Sequence, residues 1–132
     1  MKLLVDTSAL VALLLRRDWH HRAAVEFVRR NPQARFILTE LVLAETVTIV
    51  RARAGAARAA AIARDLVESR RYDLLLLERD VVSGAIDRME RFADKLLSFT
   101  DCASFETMSR LGLGAAFTFD RDFRDCGHAM VP

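Results

Sequence analysis

Four carboxylates stand where their neighbours argue against a purely solvent-facing role. Asp6 directly follows the apolar run Leu3-Leu4-Val5. Asp120 follows a second such run, in Thr118-Phe119-Asp120-Arg121-Asp122. Glu45 is the only charged residue between Leu41 and Val50, and helical spacing puts it on a stripe with Leu41, Val42 and Ile49. Asp101 comes just after Thr100, a residue type that opens helices. Taken singly, each has an ordinary explanation. Asp6 and Asp120 suit loops or caps, Asp101 suits compensation of a helix dipole, and Glu45 suits pairing with Arg51 or Arg53. Taken together they describe a different chemistry. Carboxylates that share one pocket repel, and at least one is driven to hold a proton. A divalent cation removes that penalty, and Mg²⁺ or Mn²⁺ takes oxygen ligands of this kind while keeping several waters. Such a site can hold a phosphodiester oxygen, activate water and neutralise the leaving oxygen.

The elements that must position these groups alternate along the chain. Strands are expected at Leu3 to Val5, Arg35 to Leu38, Tyr72 to Leu77, Ala115 to Phe119 and, as a short final piece, Ala129 to Val131. The run at Tyr72 to Leu77 reads as a strand covered on both faces. Helices are expected from Ser8 to Leu15, entered through Thr7 or Ser8, and from Asp18 to Arg30, carrying Trp19 on its apolar side. Thr39 caps a long helix to about Ala54, Gly55 breaks it, and Ala56 to Ser69 continues as a separate helix. Glu78 to Phe92 and Thr100 to Leu111 follow, the latter ended by Gly112. Alternation of this kind predicts an α/β fold, a parallel or mainly parallel sheet of four to five strands, formed by residues 1–132 as one domain. In open α/β sheets ligands bind beyond the carboxyl ends of the strands, so Asp6 and Asp120 should reach the same edge. Glu40 competes with Glu45 on the long helix. It lies about 140° around the helix, so the two are not expected to reach one metal.

Composition narrows the function classes. A chain of 132 residues with 52% hydrophobic and 29% charged content is a folded single domain rather than a disordered one. The net charge of +2 gives no bulk basic field, so any hold on nucleic acid must come from local patches. Of the 20 basic residues only Lys2 and Lys95 are lysine, leaving 18 arginines, the side chain best suited to bidentate phosphate contact. Cys102 and Cys126 form no C-x-x-C pair, and His20, His21 and His128 have no ligand spacing, which argues against zinc and disulfide frameworks. No leader and no membrane-spanning run is expected, so the chain reads as cytoplasmic.

Four segments carry a resemblance: Leu4-Val5-Asp6-Thr7-Ser8-Ala9-Leu10, Leu43-Ala44-Glu45-Thr46, Leu97-Ser98-Phe99-Thr100-Asp101-Cys102, and Phe117-Thr118-Phe119-Asp120-Arg121-Asp122-Phe123. In this order and spacing the chain resembles the PIN domain, and within it the VapC toxins of bacterial toxin–antitoxin pairs, over essentially its whole length. The resemblance implies a three-layer α/β/α sandwich and Mg²⁺- or Mn²⁺-dependent hydrolysis of RNA. It implies that Asp6 and Asp101 are the principal metal ligands, that Glu45 bridges to metal or orients the attacking water, and that Asp120 is the fourth acid, with Asp122 beside it in support or on a second metal. Thr7, Ser8 and Thr118 are then candidates to hydrogen-bond these carboxylates. A homodimer and a small antitoxin protein are implied as well, the antitoxin placing a basic side chain in the acidic groove. Arg16, Arg17, Arg51, Arg53 and Arg58 are candidates for gripping the RNA backbone.

Two other readings keep the fold and change the function: a non-catalytic PIN-like domain that binds RNA or protein, and a structure-specific DNA nuclease. The first would announce itself by a missing carboxylate, and none is missing. The second usually brings added DNA-binding elements, for which 132 residues leave little space. A haloacid-dehalogenase phosphatase needs an aspartate where Ser8 stands, and a metal-dependent adhesion site needs a serine where Leu10 stands.

Overall fold

The computed structural model describes residues 1–132 throughout. Five strands form one sheet: β1 (Lys2–Val5), β2 (Arg35–Thr39), β3 (Tyr72–Leu75), β4 (Ala115–Phe117) and β5 (Ala129–Val131). Their spatial order is β3-β2-β1-β4-β5, and every neighbouring pair is parallel. Seven helices complete the chain: α1 (Thr7–Leu14), α2 (His21–Arg30), α3 (Glu40–Ala54), α4 (Ala56–Glu68), α5 (Arg79–Arg91), α6 (Phe99–Leu111) and α7 (Asp122–Asp125). The three-layer sandwich is therefore present, with a sheet that is wholly parallel.

Strand periodicity sorts the core into two halves. Leu3 and Val5 of β1 join Phe36, Leu38 and Phe117 in one cluster with Leu10 of α1, Ala24 of α2, Val42 of α3 and Leu66 of α4. Leu4 and Ala116 point the other way, into Phe105 and Met108 of α6 and Phe123 of α7. Each of these large side chains is fully buried or nearly so, contributing on the order of 1.5–3 kcal/mol by leaving water.

Several element ends differ from the sequence expectation. Asp6 itself caps α1, accepting a hydrogen bond from the backbone N–H of Ser8, so neither Thr7 nor Ser8 is the cap. Ser98, not Thr100, caps α6. β4 stops at Phe117, which releases Thr118 and Phe119 into the loop before α7, a turn that the sequence reading did not contain. β3 stops at Leu75 and is an edge strand, half-exposed rather than covered on both faces. The helix expected from Asp18 begins only at His21, because Asp18 closes two successive turns instead. Its N–H donates to the Leu15 carbonyl, its carboxylate accepts from His20 N–H, and its carbonyl accepts from His21 N–H. Trp19 is left in that turn and is 94% exposed, outside the apolar face it was assigned to.

Gly84 allows the close approach of α5 and α6. A Cβ there would meet the Glu106 carboxylate at 2.4 Å. That carboxylate has little freedom to move, being held by Arg88 and Arg110 at 2.7 Å each. Alanine is better than glycine in a helix by about 1 kcal/mol, but displacing a half-buried ion pair costs more. Gly84→Ala is therefore expected to lower stability by about 1 kcal/mol. In a Glu106→Ala background the same change should raise stability by about 0.5–1 kcal/mol. Thermal unfolding of the four proteins reads this sign reversal, and equal effects in both backgrounds would refute it.

Candidate metal centre

The strand order reverses direction at β1. The chain steps outward on one side to β2 and β3, then returns to the other side as β4 and β5. The crevice at the carboxyl ends of β1 and β4 is thus the expected ligand position. Asp6 leaves β1 there, and Thr118, Phe119 and Asp120 leave β4 there.

Asp6 is 4% exposed and sits in a ring of hydroxyls. Its Oδ2 accepts from Ser8 Oγ (2.6 Å), Ser8 N–H (3.2 Å) and Thr118 Oγ1 (3.0 Å). Ser8 Oγ in turn accepts from Phe119 N–H at 2.9 Å, and Thr118 Oγ1 accepts from Asp120 N–H at 3.0 Å. The three bonds to the carboxylate all end on one oxygen and leave Oδ1 free of them. Burial raises the Asp6 carboxyl above the usual range against the opposing effect of its hydroxyl partners, and the charge of Asp120 raises it further.

Asp101 enters from α6. It closes a capping box with Ser98: Asp101 N–H donates to Ser98 Oγ, and Ser98 N–H donates to Asp101 Oδ2. The dipole and capping explanations for this aspartate are thus true, yet it also faces the cluster. Burial pushes its carboxyl up to about 6, with the charges of Asp6 and Asp120 acting in the same direction. Carboxylate oxygens of Asp101, Asp120 and Asp122 lie within 4.8 Å of one another. Asp122 belongs to this tightest set, although the sequence reading gave it a secondary place. The Asp120 carboxylate accepts from Asp122 N–H at 2.9 Å, and this local turn folds the second acid back beside the first.

Glu45 is half-buried on α3 and is paired with neither Arg51 nor Arg53. Its Oε1 accepts from Thr7 Oγ1 at 2.7 Å, linking α3 to the residue next to Asp6. Glu40 is engaged elsewhere, accepting from Leu77 N–H at 2.7 Å. Of the five arginine candidates, Arg16, Arg17, Arg53 and Arg58 line one cleft of about 340 Å³ with Leu14, Leu15 and Ala54. Arg51 is exposed and does not line it. Sequence reasoning missed Phe119 and His20, whose rings stack 4.3 Å apart beside Asp120. The signal available was the aromatic residue inside the last acidic motif.

The donor set fits a hard divalent cation. It is all oxygen, it is clustered, and two of its carboxyls are raised by burial, with neighbouring carboxylate charge adding to the effect. The chain belongs to the PIN-domain family, which matches residues 3–129. It is 31% identical over 127 residues to the 23S rRNA-specific endonuclease VapC20 of Mycobacterium tuberculosis, covering 96% of this chain and 95% of that protein. The crystal structure of Mycobacterium tuberculosis VapC20, described as a sarcin-ricin loop cleaving toxin, matches with a TM-score of 0.89 at 29% identity over 96% of both chains. A toxin–antitoxin complex from Klebsiella pneumoniae has a TM-score of 0.71 at 15% identity, covering 98% of this chain and 96% of that one, and shares the fold. Within the family the chain is a VapC-type endonuclease.

Proposed function

We propose that this protein is a Mg²⁺- or Mn²⁺-dependent endoribonuclease, the toxin of a toxin–antitoxin pair, which acts in the cytoplasm as a homodimer until a small antitoxin protein covers its acidic groove. The observation that carries the reading is the cluster of Asp101, Asp120 and Asp122 beside buried Asp6 at the sheet's switch point. Similarity to a 23S rRNA-specific endonuclease makes that RNA the first substrate to try. No helix is long and apolar enough to cross a membrane.

Asp6, Asp101 and Asp120 would hold the cation, with Asp122 in support. When bound, the cation supplies charge neutralisation at the scissile phosphate and a lowered pKa for water. Asp6 is aimed by Ser8 and Thr118, which fix one carboxylate oxygen and leave the other for the ligand. Glu45 would bridge to the cation or orient the attacking water, and Thr7, whose hydroxyl donates to it, would hold its carboxylate in place. Thr7→Val keeps the side-chain shape and removes only that hydrogen bond. The expected result is a loss of about tenfold or more in kcat with the metal-induced rise in Tm unchanged. A kcat within twofold of the parent would deny Thr7 a positioning role.

The test of the reading itself is incubation of antitoxin-free protein with total RNA containing 23S rRNA, in Mn²⁺ or in EDTA. Discrete products in Mn²⁺ alone support it. RNA left intact by protein that demonstrably binds Mn²⁺ overturns the catalytic reading in favour of a binding domain.

A further inference from the structure

Beyond the metal centre, we propose that the α1–α2 turn is a base-stacking platform, in which Trp19 receives an unpaired RNA base while Arg16, Arg17, Arg53 and Arg58 hold the adjoining phosphates. The proposal deepens the ribonuclease reading and rests on it for the identity of the polymer.

Three observations converge. Trp19 is 94% exposed, so nearly the whole indole is in water. It is not exposed because the segment is loose. Asp18 holds both sides of the turn through Leu15, His20 and His21. The His21 ring bonds the Ala12 carbonyl at 2.7 Å, and the His20 ring lies flat on Phe119, 4.3 Å apart and 4° from parallel. A large aromatic presented on a pinned turn loses little freedom on binding. Next, the turn begins with Arg16 and Arg17, which share their cleft with Arg53 and Arg58 from the α3–α4 junction. None of the four lies within ion-pair distance of a carboxylate, whereas Arg30, Arg35, Arg88 and Arg110 do. Four guanidinium groups without an ion-pair partner, two of them two and three residues before an exposed indole, match a polyanion that carries flat rings. Finally, the turn adjoins the acidic cluster, because Phe119 under His20 is the residue before Asp120. A strand bound at this turn therefore lies next to the loop that carries Asp120.

Trp19 is the only tryptophan, so its fluorescence reports this contact directly. Full-length protein in EDTA is titrated with a short fluorescently labelled oligoadenylate, and separately with polyphosphate, which has the charge and no bases. RNA should quench the indole while polyphosphate competes for the arginines without quenching. Trp19→Ala should weaken binding, read by anisotropy of the label, on the order of tenfold. Trp19→Phe should recover most of that loss, and Arg53→Ala should lower the salt dependence of binding by about one unit of log–log slope. Indole emission that stays constant while the RNA anisotropy saturates would overturn the platform. Equal responses to RNA and polyphosphate would do so too, as would emission that follows protein concentration and ignores RNA, which would mark a face for a second copy. The assay needs no cleavage. Quenching by RNA in a parent that never cuts would retain the platform and sink the nuclease reading, and cutting with a silent indole would do the reverse.

Discussion

Asp6→Asn is expected to abolish RNA cleavage, by on the order of a thousandfold or more, in a protein that folds at least as well as the parent. The magnitude follows from removing one charged ligand from a site whose cation carries several kcal/mol of transition-state stabilisation. The retained fold follows from the geometry. Asparagine is as good an N-cap as aspartate and keeps an oxygen for Ser8 N–H and for the Ser8 and Thr118 hydroxyls. Burial raises the Asp6 carboxyl, so an uncharged amide removes a charge that the fold accommodates at a penalty. Single-turnover cleavage and thermal unfolding of the same preparation check both halves. An Asp6→Asn variant that cuts within tenfold of the parent would remove Asp6 from the centre. One that fails to fold would make its role structural.

Asp101→Asn separates the metal from the proton. Its folded carboxyl titrates at about 6, above the ordinary 3.8. Between those values the folded state binds more protons than the unfolded one, so this group's contribution to stability falls as pH rises through the interval and is gone above about 6. The variant lacks that term and keeps the Ser98 capping box through its amide oxygen. In metal-free buffer the variant should therefore gain stability relative to the parent as pH is raised from 4 to 7.5. With Mn²⁺ at pH 7.5 the order reverses. Loss of a charged ligand lowers affinity on the order of a hundredfold or more, so the parent's Tm rises by several degrees and the variant's barely moves. The parent's metal shift should itself shrink below pH 6, where protons occupy the same oxygens. A stability difference that ignores pH, or metal shifts of equal size, would exclude Asp101 as a ligand.

The carboxylates were legible as a set, since each alone has an ordinary explanation. A charged residue immediately after an apolar run of strand length belongs at a strand's carboxyl end, and the alternation of elements put two such ends together. The caps were less legible. Ser98 and Thr100 are both good N-caps, and the choice between them rests on how Leu97 and Phe99 pack against Ala85 and Cys102, which no local pattern records. Nor does local sequence show that β3 lies at the sheet's edge. Its apolar run reads as interior, yet Leu76 is left largely exposed just past the strand. Trp19 misled for a related reason. Its spacing to Ala23 and Phe27 is helical, but the Asp18 turns hold the chain until α2 starts at His21. The resemblance gives Asp122 a supporting place or a second metal, and the α7 turn that folds it back spans only four residues, too few for periodicity to register.

The pairing of β1 with β4 has a temporal side. Thr118, the hydrogen-bond partner of Asp6, is synthesised 112 positions after it, and Asp120 and Asp122 follow Thr118. Contacts this distant in sequence form late, and here they cannot exist until the later partner has been made. A nascent or prematurely terminated chain therefore carries Asp6 and Glu45 with nothing opposite them. The acidic cluster is thus completed only once β4 has been made and has paired with β1.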